Sequence, residues 1–185
     1  MINSIPFNLK CKYGNDLREI PEYPGGFKKS IKYLEAKVKT TNDPEEKGKI
    51  LSTLGVLKRI MRHPDDSLPH LEEASTLFEK CGNRKLSLIN EVRLAVTLQF
   101  LGRHQEAEAK FGAVEEYIKS NPRHKGLLDF IYQHRGKNEF DQGNYEKAME
   151  AFKMALELRR AKGRQELIGS TNFAINVTRK HLTGS

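Results

Sequence analysis

The sequence predicts an all-α protein, a helical solenoid of seven to eight helices. Three observations carry this prediction. Small and large apolar residues recur at helical spacing, the same pattern returns after about 40 residues, and helix-ending signals stand between the segments. No stretch alternates apolar and polar residues for long enough to predict a strand.

The repeated pattern is clearest in the stretch "GNYEKAMEAFKMALEL". Ala148, Phe152 and Ala155 lie on one face of the predicted helix. The alanines allow a neighbouring helix to approach closely, and the phenylalanine fills the adjoining space. Ala107 and Phe111 repeat this step 41 residues earlier. Partial copies of the pattern lie further upstream, at Gly25, Phe27, Ser30, Leu34, Ala74 and Phe78.

The helices that alternate with these segments also match one another. Each carries a small residue near its middle: Gly55, Ala95, Gly136 and Ala174. Ala95 and Gly136 are 41 residues apart, as are the alanines of the other set. A period of this length with two helices per unit indicates stacked helical hairpins.

Capping residues set the predicted boundaries. Asp43 is a predicted N-cap, with Pro44 at the first helical position and Glu46 three residues after the cap. Gly82–Asn83 and Gly143–Asn144 each read as a helix stop followed by a new cap. The predicted helices are 26–40, 44–62, 68–81, 84–101, 104–119, 124–141, 144–162 and 165–181.

The stretch "RGKNEFDQGNYEKAMEAFKMALEL" resembles a tetratricopeptide repeat (TPR), of a long-period type similar to repeats of kinesin light chains and bacterial Rap-type peptide receptors. The resemblance covers about residues 25–181 and implies a right-handed superhelix of antiparallel helix pairs. The chain departs from the family pattern at three places. Arg135 and Glu139 replace apolar residues, and we expect an ion pair between them. Ser30 replaces an alanine, and "MRHPDDSLPH" lacks the tight turn near 63–68.

The predicted domain organisation has three parts. Residues 1–24 form an irregular or extended segment, 25–181 form the TPR-like domain, and 182–185 form a disordered tail. Prolines make a long helix in the first segment unfavourable. We expect its apolar residues to cover helix 26–40, and these are Ile5, Phe7, Leu9, Ile20 and Tyr23. Whether this segment instead occupies a binding groove as a built-in lid is left open.

The last predicted helix carries Ile168, Phe173, Ile175 and Val177, which lie on more than one of its faces. Terminal repeats of a solenoid need a polar outer face or a cover. A homodimer formed through this helix is therefore a hypothesis.

The residue patterns do not predict an enzyme. The six histidines lack the spacing of a metal-binding helix, and the chain has no phosphate-binding glycine loop or nucleophile motif. Cys11 and Cys81 fit no metal or redox spacing. We therefore expect no catalytic residues, no metal and no cofactor. Without a long apolar run or a signal peptide, we expect a cytoplasmic protein that does not enter the membrane.

The resemblance implies that the first helices of the pairs line a concave groove that binds peptides. Amide side chains suit a peptide backbone, and cations suit acidic side chains or a terminal carboxylate. On each of these helices, the residues on the face next to the small residue are expected to point into the groove. The predicted peptide-binding residues are Lys49, Arg59, Arg93, Gln99, Gln133, Lys137, Thr171, Asn172 and Arg179.

The predicted function is a non-catalytic interaction module that binds a protein or peptide, including an acidic one. Two alternatives remain. The net charge of +8 and the basic stretch "LELRRAKGR" suit a nucleic-acid-binding repeat protein, although no aromatic residues are interleaved with that stretch. The resemblance to Rap-type receptors suits a regulator that sequesters a partner in a peptide-sensing pathway.

Overall fold

The computed structural model describes residues 5–184, and it confirms the predicted all-α class. Within these residues lie eight α-helices, a 3-10 helix at Pro122–Leu127 and one two-stranded antiparallel sheet. The strands are β1 (Cys11–Tyr13) and β2 (Glu19–Pro21). The helices are α1 (Pro24–Thr40), α2 (Pro44–Ile60), α3 (Pro64–Lys80), α4 (Arg84–Phe100), α5 (His104–Ser120), α6 (Leu128–Asp141), α7 (Tyr145–Ala161) and α8 (Gln165–Thr183).

The helices form two compact units. The first unit contains the residues up to Gly14 together with Arg18–Arg103, and the second contains Asn15–Leu17 together with the residues from His104 onward. Within the first unit α1 packs on α2, α2 on α3 and α3 on α4. Within the second unit α5 packs on α6, α6 on α7 and α7 on α8. Each unit is therefore a solenoid-like stack in which consecutive helices are neighbours.

The predicted small and large residues interlock in the cores of both units. Phe78 and Phe152 are almost fully buried. A Cβ atom added to Gly136 would lie 2.6 Å from the ring of Phe152, and one added to Gly55 would lie 2.7 Å from Leu71. The absence of a side chain at these two glycines therefore lets α7 approach α6 and α3 approach α2.

The turn between α2 and α3 corrects the prediction that this region lacks a tight turn. Arg62 has a φ of 67° and its backbone N–H donates to Arg59, while that of His63 donates to Lys58. Gly82 shows the same left-handed φ and the same pair of hydrogen bonds at the end of α3. This is the Schellman arrangement, so an arginine here takes the place of the usual glycine. As a result α3 begins at Pro64 rather than at 68.

The helix starts agree with the capping signals at two places and differ at two others. The side chain of Asp43 accepts from the backbone N–H of Glu46, as predicted, and Asn83 caps α4. Asn144 makes no capping bond, since its side chain donates to Glu139 instead. The predicted helix at 124 is a 3-10 helix up to Leu127, and α6 begins after it.

The N-terminal segment is more regular than predicted. Two strands of only three residues pair in register, too short to show an alternating pattern in the sequence. Ile5 and Leu9 pack against the core cluster of α1 and α2, and Phe7 meets Tyr33 of α1 edge to face. These three residues cover α1 as predicted. Tyr23 does not, because it is 55% exposed.

The chain end and the apolar residues of α8 also differ from expectation. The helix continues through Leu182 and Thr183, into the predicted tail. Ile175 and Val177 are buried in the core of the second unit, and Ile168 and Phe173 pack against that core. The side chains that motivated the homodimer hypothesis are thus used within their own unit. Residues 1–4 and 185, which belong to the predicted end segments, lie outside the described residues.

None of the helices between residues 5 and 184 combines the length and the apolar composition needed to cross a membrane.

Candidate binding surface

Three arginines gather on one aromatic ring in the first unit. The guanidinium carbons of Arg18, Arg59 and Arg62 lie 4.5, 4.7 and 5.8 Å from the ring centroid of Phe100. Distances below about 6 Å allow attraction between a cation and the π-face. We call these four residues the Phe100 cluster. The fold brings it together from the ends of α2 and α4, the turn after α2 and the residue before β2.

The Phe100 cluster runs from the interior to the surface. Arg59 is only 4% exposed. Arg18 and Phe100 are half-buried, and Arg62 is exposed. The cluster is therefore accessible to a ligand from the side of Arg62, while its deepest guanidinium is shielded from water. Shielding strengthens the attraction between a guanidinium and an anion.

Glu19 supplies a carboxylate to the deepest arginine. Its Oε2 lies 3.3 Å from Nη1 of Arg59, and the two side chains are 16% and 5% exposed. This distance is longer than the roughly 2.7–2.9 Å of a well-formed charge-assisted hydrogen bond. The Nε of Arg59 is buried and has no hydrogen-bond partner. Arg59 thus makes one long contact and keeps an unused donor.

A polar network lies beside the cluster, between α2, α3 and α4. Nη1 of Arg93 donates to Oγ of Ser52 at 2.8 Å, and Ser52 in turn donates to Asn90. Asn90 donates to the backbone carbonyl of Leu71 at 2.7 Å. Burial and the charge of Arg59 lower the pKa of Arg93 to about 10. Arg93 is therefore held in place by the helix packing, and its charge adds to that of the cluster.

The structure separates the predicted peptide-binding residues into two groups. The exposed or half-exposed ones are Lys49, Arg93, Asn172 and Arg179. The buried ones are Arg59, Gln99, Gln133, Lys137 and Thr171. Lys49 is paired with Glu45 at 2.5 Å on its own helix. Arg179 donates to Asn176 at 3.3 Å and lies on the surface of α8.

Buried Gln133 and Thr171 belong to a network that holds the second unit together. Nη1 of Arg159 donates to Gln133 at 2.8 Å and to Thr171 at 2.5 Å, and its Nε lies 3.2 Å from Asp129. Asp129 also pairs with Lys162. Asp129 and Arg159 are at most 2% exposed. The network explains why polar residues occupy inward positions of α6 and α8.

This network also changes the interpretation of the basic stretch "LELRRAKGR". Arg159 lies inside the second unit, and Lys162 is bound to Asp129 and to the carbonyl of Gly126. Both side chains therefore stabilise the helix packing, and Arg159 is withdrawn from the basic surface, while Lys162 remains exposed with its charge paired to Asp129.

Arg135 forms a different ion pair from the one predicted. It binds Glu108 at 2.9 Å and Glu115 at 2.7 Å, both on α5. Glu139, the predicted partner, accepts a hydrogen bond from Asn144. Burial opposes ionisation of Glu115, but the hydrogen bonds from Arg135 and Tyr132 outweigh it and lower the pKa of the carboxyl.

A shallow cavity of about 380 Å³ lies at the end of α8 in the second unit. It is lined by Asn15, Val177, Lys180, His181 and Gly184. His181 stacks on Tyr145, with the ring centroids 4.7 Å apart. The cation of Lys180 and the aromatic ring of His181 thus line this cavity at the end of α8. Among residues 5–184 no group of three or more His, Cys, Asp or Glu side chains is placed to hold a metal ion.

Sequence analysis missed Arg18, Glu19, Arg62 and Phe100. No local pattern marks them, because they come from three separate segments and meet only after the helices have packed. The one available signal is the basic residue at the turn after α2, because Gly82, Gly102, Gly143 and Gly163 occupy the equivalent left-handed position after α3, α4, α6 and α7. Comparison with protein-family models and with curated proteins finds no match for the chain.

Proposed function

We propose that the protein is a non-catalytic, TPR-like interaction module that binds an acidic peptide segment of a protein partner. The observation that carries the proposal is the Phe100 cluster, which concentrates three guanidinium groups on one accessible ring. Guanidinium groups bind carboxylates in a planar, two-point geometry, so such a cluster selects acidic side chains.

The helical scaffold supports this function because it holds the binding groups before a ligand arrives. Arg59 and Phe100 sit on helices that are packed into the core, and Arg93 is fixed by Ser52. A preformed site loses little conformational entropy on binding.

A peptide-selection experiment tests the proposal. The immobilised chain, treated with nuclease, selects binders from a random peptide library, and the affinity of the best binder is measured by fluorescence anisotropy. We expect the selected peptides to be enriched in aspartate and glutamate. We also expect Arg62→Gln, in the Phe100 cluster, to weaken binding severalfold.

Lys80→Gln is the matched control. Lys80 is also exposed in the first unit, but it lies at the end of α3, which contributes no residue to the Phe100 cluster. The variant removes the same charge and should leave the affinity unchanged. Equal weakening by both variants would mean that only net charge matters. Selected peptides without acidic enrichment would also contradict the proposal.

A further inference from the structure

We infer that the Phe100 cluster is a carboxylate site whose resident occupant is Glu19, and that an acidic side chain of the partner displaces Glu19 from it. The inference rests on the proposed function and adds to it an internal competitor. The contact between Glu19 and Arg59 then sets the affinity for the acidic ligand.

The Phe100 cluster concentrates positive charge. Arg18, Arg59 and Arg62 lie within 5.8 Å of one ring centroid, and Arg93 is close enough to Arg59 for their charges to interact. Like charges at such distances repel, and an anion among them relieves the repulsion. The contact with Glu19 shows that a carboxylate can reach the deepest guanidinium.

The contact between Glu19 and Arg59 is incomplete. A carboxylate that binds an arginine well uses two parallel N–H donors. Glu19 approaches only Nη1, at 3.3 Å, and the buried Nε of Arg59 has no partner. An acidic side chain that engages Nε and a terminal nitrogen together would satisfy a donor that Glu19 leaves unused.

The Phe100 cluster is accessible to a ligand from one side. Arg62 and half-buried Arg18 lie at the open side of the cluster, and the Glu19 side chain itself is 16% exposed. Glu19 lies on β2 and its side chain is partly exposed, so it can turn towards solvent and vacate Arg59. Displacement is thus a local exchange of one carboxylate for another.

The test compares two variants of the N-terminal segment with fluorescein-labelled oligoglutamate as the probe. Glu19→Gln removes the competing charge and keeps the shape of the side chain. If Glu19 occupies the cluster about nine-tenths of the time, oligoglutamate should bind this variant about tenfold more tightly than the wild type. Glu22→Gln is the matched control, because exposed Glu22 lies on the same segment. It should change the affinity less than about twofold.

A second variant confirms that the cluster is the binding site. Arg62→Gly removes one guanidinium and introduces the residue found at the left-handed position after α3, α4, α6 and α7, so the turn is retained. In the Glu19→Gln background it should weaken oligoglutamate binding severalfold without lowering the thermal unfolding midpoint. Unchanged binding in this double variant would overturn the inference.

Four further outcomes separate the possibilities. Equal affinities of Glu19→Gln and Glu22→Gln would show that Glu19 is no competitor and would overturn the inference. Oligothymidylate that binds more tightly than oligoglutamate, with a steep salt dependence, would assign the cluster to phosphate and also overturn it. If library-selected peptides bind but oligoglutamate does not, the inference fails and the proposed function stands. If no peptide binds any variant, the proposed function itself fails.

Discussion

The substitution Gly136→Ala tests the close packing of α6 and α7. The added Cβ would lie 2.6, 2.7 and 3.0 Å from three ring atoms of Phe152, which is fully buried. The ring is buried in the core cluster of the second unit, so it can relieve these contacts only by displacing its neighbours, and overpacking of this kind costs about 1–3 kcal/mol. The exchange of glycine for alanine inside a helix returns about 0.5–1 kcal/mol. The difference of these two ranges spans about 0–2.5 kcal/mol, so we expect a net destabilisation of about 1 kcal/mol.

Gly169→Ala supplies the matched control for this prediction. Gly169 also lies within a helix, α8, and an added Cβ there meets no atom within 4 Å. This variant should show only the helix gain and be more stable than the wild type by about 0.5–1 kcal/mol. Urea unfolding followed by far-ultraviolet circular dichroism measures both free energies. If Gly136→Ala were stabilised as much as Gly169→Ala, the close approach of α6 and α7 would be refuted.

Three other predictions concern the ion pairs and the unusual turn. Asp129→Ala leaves the guanidinium of Arg159 buried without its counter-ion. The free energy of unfolding, measured in urea, should therefore fall by about 3–5 kcal/mol. A loss below about 1 kcal/mol would contradict the buried network. Arg62→Gly and Arg62→Ala both remove the stacked guanidinium, but only glycine relieves the left-handed backbone. The glycine variant should therefore be the more stable of the two by about 1 kcal/mol in thermal unfolding, and the opposite order would speak against the turn. The pKa of Glu115 is lower in the folded protein than in the unfolded chain, where it is about 4.3. The carboxylate therefore stabilises the fold above about pH 4.3, and this stabilisation is lost as the pH falls through the folded pKa. The difference in unfolding free energy between the wild type and Glu115→Gln should be largest at neutral pH and shrink towards pH 3; a difference that is constant with pH would exclude the ion pair with Arg135 as its cause.

The helical framework could be predicted because its signals are local. The step from Ala148 to Phe152 repeats at Ala107 and Phe111, and all four residues are almost fully buried. The cap at Asp43 was also visible, since an N-cap is defined by residues within one helical turn. Spacing alone therefore determines helix faces and several helix starts in this chain.

Other features depend on contacts between distant residues. Nothing near Gln133 or Thr171 shows that Arg159 will satisfy them inside the second unit, so their polarity was interpreted as a groove surface. Strands of three residues carry no detectable period. Arg62 violates the preference for glycine at a left-handed position, and only the backbone shows that the turn is present. The Phe100 cluster is likewise assembled by helix packing, which a sequence pattern does not encode.

In the proposed function, the first unit binds an acidic peptide through the Phe100 cluster. The most direct measurement is an NMR titration of the isotope-labelled chain with the acidic peptide selected from the library, followed through assigned backbone amide signals. We expect the shift changes to concentrate on α2 and α4 of the first unit, with the largest changes around Phe100 and Arg62. Shift changes confined to α1 and α3, or an absence of saturable changes, would contradict this binding site.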